Sequence, residues 1–167
     1  MDFFRKKNPN KNGKPNGVSV EARNALIVLS CASILTLYVH TALAPALPNI
    51  IQFFSISYDL ASWLLTAYMV TGAVMSIVIG RLADLYGPKR MFLIVIGAYT
   101  VGVALAPLSQ DITSLLATRV LQGVAVAVIP LGSKIVRDVY PDRKYVQAQG
   151  ILTSMYSAGS VVGLVLG

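Results

Sequence analysis

Long apolar runs separated by short polar segments dominate this chain. The runs cover residues 25–47, 61–80, 91–108, 112–136 and 145–167. Each approaches or exceeds the roughly 18–20 apolar residues that cross a bilayer as a helix. Strands of a membrane barrel would alternate polar and apolar residues over about 10 positions, and these runs do not alternate. The pattern predicts an all-α integral membrane protein with five transmembrane helices over 23–167. Residues 1–22 are polar and rich in Asn, Lys, Gly and Pro. Such a segment buries too little apolar surface to fold alone, so a disordered tail is expected there.

Composition agrees with the runs. Hydrophobic residues make up 55% of the 167 and charged residues 13%, where a soluble domain carries about 25% charged residues. Mean hydropathy is +0.66. The net charge of +7 is unevenly placed. Lys and Arg gather in residues 5–23, 81–90 and 134–144, while the connections 49–60 and 109–111 contain none. Alternate connections are therefore basic and basic-free, which predicts a cytoplasmic N-terminus in the cell membrane. The same alternation argues against a nucleic-acid surface. Ala42-Leu43-Ala44 resembles a signal cleavage site, but Pro45 would follow the cut and four more spans come after, so an uncleaved first helix is expected. The lone Cys31 excludes a disulfide within the chain and reads as a small packing residue.

Small residues mark candidate helix contacts, because membrane helices associate through close packing. Gly72, Ser76 and Gly80 recur every fourth position in the second run. Gly159, Gly163 and Gly167 do so in the fifth, beside a neighbouring stripe of Gly150, Ser154 and Ala158. The fourth run offers Gly123 and Ala127. Pro45 and Pro48 are expected to end the first helix, and Pro130 to kink the fourth and free a carbonyl. Trp63 and Tyr68 read as interfacial aromatics opening the second helix.

All seven acids lie near helix ends or in connections, so the interior holds one permanent charge, Arg119, and one titratable ring, His40. An intramembrane charge is a functional candidate by default. Both residues sit about seven positions inside the outer helix ends, roughly 10 Å deep. Two readings stand for Arg119. It faces a polar outer-half cavity shared with His40, or it is a structural cation capped by first-helix carbonyls and Gln122. His40 is likewise either a path residue or a hydrogen-bonded packing histidine.

Residues 80–90 read as a short charged turn between spans, with Gly80 and Gly87 permitting close approach and tight turning. Asp84 there has several possible partners: Arg81, Lys89, Arg90, or the positive N-terminal end of another helix. The connection after the fourth helix, with Lys134, Arg137, Asp138, Asp142, Arg143 and Lys144, is expected on the same side and available to complete a charge network.

These residues resemble the major facilitator superfamily of secondary transporters. Gly80-x-Leu82-Ala83-Asp84-x-x-Gly87-x-Lys89-Arg90 is similar to its signature loop between the second and third helices. Arg119-x-x-Gln122-Gly123 resembles the fourth-helix motif, and Gly159-x-x-x-Gly163-Leu164-x-x-Gly167 the fifth-helix antiporter motif. Ser62-Trp63-Leu64-Leu65-Thr66-Ala67-Tyr68, with Ala46-Leu47-Pro48, resembles the drug:proton antiporter branches. The resemblance implies the N-terminal six-helix half of a transporter, here as five helices without the C-terminal half. It implies a gate role for Asp84, with Arg137 and Asp138 as network partners. It places Arg119, Gln122 and Gly123 on or beside the translocation path, with a small-molecule substrate and protons as partners. It gives Gly159 and Gly163 the shaping of the fifth helix, where two halves rock about a midplane site. The chain departs from the family pattern at Leu85, Pro88 and Leu164, and at Val39-His40, where these branches often carry an acid.

The expected function is alternating-access transport, proton-coupled and multidrug-type. Uptake by the same fold, and a small non-transporting membrane protein acting through its glycine stripes, stand as alternatives. No nucleophile–base pair, metal cluster or phosphate loop occurs, so neither an enzyme nor a cofactor is expected.

Overall fold

The computed structural model describes residues 20–166, so the expected tail over residues 1–19 and the last motif glycine, Gly167, lie outside the described residues. Among the described residues seven α-helices follow one another: α1 (Val20–Thr41), α2 (Leu43–Phe54), α3 (Tyr58–Tyr86), α4 (Pro88–Leu105), α5 (Ile112–Gly123), α6 (Val128–Val139) and α7 (Asp142–Leu166). Five membrane spans result, because α5, a tight turn over Val124–Ala127 and α6 together form one span, Ile112–Val139. α2 is a shorter apolar helix of 12 residues.

Several helix limits differ from the expected ones. α1 begins at Val20, and Ala22 is fully buried, so the helix takes in three residues assigned to the tail. The first helix also stops at Thr41 and not at Leu47. Pro45 explains the break: proline lacks an N–H and clashes with the carbonyl four residues back, that of Thr41. Pro45 then falls in the first turn of α2, where a missing N–H has no intrahelical partner to lose. Both prolines therefore sit inside a second helix, and Pro45 ends the first at Thr41 while Pro48 plays no part in that break.

The span after Ser57 is longer than its apolar run. Ser57 caps α3, and the helix runs 29 residues to Tyr86, about 44 Å at 1.5 Å per residue. That exceeds the roughly 30 Å hydrocarbon thickness, so its last turns emerge with charged residues still helical. The stretch read as a charged turn is thus mostly helix. The turn itself is the single residue Gly87, at φ 92°, a region reserved for glycine. Pro88 follows as the first residue of α4, where its fixed φ suits a helix start.

In the fourth span the helix tightens over Val124–Ala127, just before Pro130, as a ring pressing on the preceding turn requires. At the opposite end Asp111 caps α5 through a reciprocal pair with Ser114. The Ser114 hydrogen bonds hold the Asp111 carboxyl below its usual range. The cap's full strength is therefore present above the ordinary carboxylate pKa and is lost as pH falls through the lowered value.

α6 is central. Val128, Leu131, Ile135 and Val136 are buried among Leu29 of α1, Ile79 of α3, Val95 of α4 and Leu152 of α7. A second cluster joins Leu43, Leu64 and Leu115 toward the Asp111 end. Outward positions remain apolar: Val74, Ile77, Leu93, Ile94, Val101, Val161 and Val165 are exposed. In water such a surface would be unusual. It is the surface that a lipid-embedded bundle presents. Cys31 belongs to that outer surface and is no packing residue.

Candidate functional site

The interior charge is held by a short chain of polar contacts. Arg119 and Gln122 are three residues apart on α5, hence on one helix face. Arg119 Nη1 donates to Gln122 Oε1 at 2.9 Å, and Gln122 Nε2 donates to the Gly102 carbonyl of α4 at 2.9 Å. Gln122 is 1% exposed and Arg119 7%. A Cβ on Gly102 would sit 3.0 Å from Gln122 Cγ and 3.3 Å from Gln122 N, so this glycine makes room for the contact. Arg119 Nε is buried without a partner. Among the described residues the single ion pair is Lys134–Asp84, so no carboxylate neutralises Arg119. Gln122 is a cap as one reading expected, but the second anchor is a carbonyl of α4 and no first-helix carbonyl is bonded to it.

His40 stacks on Tyr68, with ring centroids 4.1 Å apart and planes 16° from parallel. Tyr68 is therefore a buried partner of the histidine and no interfacial aromatic, whereas Trp63 is exposed. Both rings line a groove of about 260 Å³ with Leu37, Met69, Val126 and Tyr156. The groove thus draws on α1, α3, the tight turn before α6, and α7. Arg119 is not in its wall, which corrects the expectation of one cavity shared by both residues. Tyr99 Oη donates to the Leu35 carbonyl at 3.2 Å, tying α4 to α1 beside this region.

Glycines bring backbones together at two crossings. At the α1–α7 crossing a Cβ on Gly159 would lie 2.6 Å from the Ile34 carbonyl, and one on Gly163 2.6 Å from the Tyr38 carbonyl. The matching order of these contacts makes α1 and α7 parallel. At the α3–α5 crossing a Cβ on Gly123 would lie 2.7 Å from the Tyr68 carbonyl and 3.3 Å from Gly72 N. Gly150 has nothing within 4 Å, and Ser154 and Ala158 are exposed, so the second stripe of α7 meets no helix of the described chain.

At the Gly87 end, Lys134 of α6 reaches α3. Its Nζ lies 2.8 Å from Asp84 Oδ1 and donates to the Gly80 carbonyl at 2.9 Å. Gly80 has open space where a Cβ would be, so it serves through its carbonyl and not through close approach. Arg81, Lys89 and Arg90 are exposed and form no ion pair with Asp84; Arg137 and Asp138 are exposed too. The partner of Asp84 is thus Lys134, one turn before Arg137. Replacing Gly87 by alanine is expected to destabilise the α3–α4 turn by about 1–3 kcal/mol, because non-glycine residues are strained at this φ. Chemical denaturation in detergent checks it, with Gly80→Ala as the unstrained control.

The sequence profile of the Major Facilitator Superfamily matches residues 29–167. The chain belongs to this superfamily. Multidrug resistance protein 3 of Bacillus subtilis is 31% identical over 129 residues, covering 77% of this chain and 25% of that protein. The MFS-type transporter EfpA of Mycobacterium tuberculosis is 32% identical over 145 residues, covering 86% and 27%. The probable actinorhodin transporter of Streptomyces coelicolor is 30% identical over 158 residues, covering 93% and 27%. The chain therefore spans about a quarter of the length of these relatives.

Within this superfamily member, the multi-pass helices and the absence of enzyme chemistry follow from the family. Three contacts involve the residues expected from the sequence: the Lys134–Asp84 pair at one end, the Arg119–Gln122–Gly102 chain inside, and the His40–Tyr68 stack beside the groove. Sequence reasoning missed Gly102 as a partner site and Gly72 as the counterpart of Gly123. Periodicity marks which residues share a helix face, but not which other helix meets that face. It also missed the polar set Ser33, Ser133 and Gln149, where Gln149 Nε2 donates to Ser133 Oγ at 2.9 Å between α7 and α6. A polar residue in each of three apolar spans was the available signal.

Proposed function

We propose that this chain forms the N-terminal wall of an alternating-access exporter, proton-coupled and of the multidrug type, in the cell membrane with its N-terminus cytoplasmic. The Lys134–Asp84 pair carries the reading. It joins the end of α3 to α6 at the predicted cytoplasmic face, and both side chains are partly exposed, 38% and 69%. A pair this exposed contributes about 0–1 kcal/mol to stability. It is poorly suited to holding the fold and well suited to a latch that opens and recloses each cycle. Transport-family relatives named for multidrug resistance support the export direction. The missing acid beside Val39 leaves proton coupling to groups such as His40 or to a C-terminal half.

A non-transporting protein that associates through Gly159 and Gly163 is disfavoured, because both are already occupied by α1. In the complete transporter, Asp84→Asn is expected to lower turnover about tenfold while leaving substrate affinity within a factor of two or so, a loss confined to the conformational step. Flux into proteoliposomes and equilibrium binding are the two measurements. Normal flux in Asp84→Asn would remove the latch.

A further inference from the structure

We infer that α1, α6 and α7 enclose a hydration site, in which about two waters complete the hydrogen bonds of Gln149 and of the hydroxyls around it. The site is separate from the groove beside His40 and holds whether or not the chain takes part in transport.

Gln149 shows the need. Its Nε2 donates to Ser133 Oγ at 2.9 Å, from α7 across to α6. The other end of the same amide, Oε1, is buried with no protein partner. The residue lies seven positions into α7, about 10 Å along the helix at 1.5 Å per residue. Lipid tails offer no donor at such a depth, and a buried carbonyl left unpaired is costly.

The surroundings match water in size and in chemistry. Ser33, Ser133, Gln149, Leu152, Thr153 and Tyr156 line a cavity of about 60 Å³. A water takes about 30 Å³ in the liquid and needs two to four polar partners. Ser33 Oγ already donates to the Leu29 carbonyl at 2.8 Å, and Thr153 Oγ1 to the Gln149 main-chain carbonyl at 3.0 Å. Their hydrogens are committed, so each oxygen is left as an acceptor. Ser133 Oγ is in the opposite position. It accepts from Gln149 and keeps its own hydrogen to give, as does Tyr156 Oη. Acceptors on α1 and α7 and donors on α6 and α7 thus share one cavity with the Gln149 side-chain carbonyl. A molecule that both donates and accepts satisfies them together.

Water fits this cavity better than a cation does. Among the described residues no acid lines it. A sodium ion would meet neutral oxygens only, and a buried charge without a counter-charge is costly. Tyr156 also lines the groove beside His40, so the cavity is one side chain away from that wider space.

Radiolytic hydroxyl-radical labelling of the full chain in lipid nanodiscs, read by mass spectrometry, tests the site. Radicals form from water where it is bound and oxidise the side chains beside it. Leu152→Met and Leu131→Met place an oxidisable thioether at two buried positions, 5% and 0% exposed in the parent. Only the first of them lines the cavity. The exchange conserves volume, and methionine is read as its sulfoxide. Position 152 is expected to oxidise about fivefold or more faster than position 131. Gln149→Leu, which removes both ends of the amide, is expected to bring position 152 to within about twofold of position 131. Equal rates at the two positions with Gln149 in place overturn the inference. So does a rate at position 152 that Gln149→Leu leaves unchanged. A rate at position 152 that falls when sodium chloride replaces choline chloride would overturn it in favour of a cation site. Where a variant does not fold, the same comparison is read on Leu152 and Leu131 of the parent chain, with the same order expected.

Discussion

Gly163→Leu is expected to separate α7 from α1. A Cβ at this position would sit 2.6 Å from the Tyr38 carbonyl and 3.1 Å from Thr41 Cβ. The Thr41 side chain is one obstacle, and the Tyr38 carbonyl is backbone that cannot rotate away as a side chain can. Gly159 is equally constrained, with Ile34 O at 2.6 Å and Ile34 Cα at 2.9 Å from its Cβ position. Overpacking a close interface costs about 1–3 kcal/mol, and leucine against a helix backbone belongs at the upper end. In lipid no hydrophobic force between helices compensates, since lipid tails are as apolar as leucine. The measurement is reversible unfolding in mixed micelles, with Gly150→Leu as the comparison. Gly150 meets nothing within 4 Å, so that variant is expected to keep the parent stability. Equal stability for Gly163→Leu and Gly150→Leu would mean that α1 and α7 do not pack through this register.

The second large effect is expected at Gln122. Leucine there removes the acceptor of Arg119 Nη1 and the donor to Gly102 O together. Hydrogen bonds to a charged group are worth about 1.5–3 kcal/mol, and an orphaned buried donor costs its full desolvation. Gln122→Leu is therefore expected to destabilise by about 2–3 kcal/mol. Removing the charge as well reverses part of the loss, because the orphaned group goes with it. Arg119→Met/Gln122→Leu is expected to be more stable than Gln122→Leu alone, a non-additivity typical of residues in contact. A strictly additive double variant would show that Gln122 does not support Arg119.

Much of this architecture is legible in the apolar runs, because a span needs length and low polarity and little else. The limits are less legible, for identifiable reasons. Residues 81–86 look like a loop by charge, yet charge does not oppose helix once the chain has left the hydrocarbon, and within this stretch only Gly87 carries a positive φ. Of the two prolines in α2, Pro45 ends α1 ahead of itself, at Thr41, and Pro48 ends nothing. The four-residue spacing of Gly159 and Gly163 points to a close contact, and the structure places that contact on α1. The same spacing of Gly72 and Gly80 is misleading, since Gly72 meets α5 and Gly80 has an open face. Tyr68 reads as interfacial from its position near a helix start, but ten residues into α3 it is already stacked on His40. That a groove takes His40 and excludes Arg119 depends on helix rotation, which a single sequence does not specify.

The central claim is that α3 and α6 are joined by a charge latch that works in the transport cycle. A charge exchange tests it most directly. In the complete transporter, Asp84→Lys and Lys134→Asp are each expected to lower turnover about tenfold or more, because a like-charge pair replaces an attractive one. The double exchange restores an opposite-charge pair across the same 2.8 Å contact. Turnover in proteoliposomes is expected to return to within about threefold of the parent, with substrate affinity unchanged in all three proteins. A double exchange as inactive as either single variant, or single variants with parental turnover, would contradict the latch.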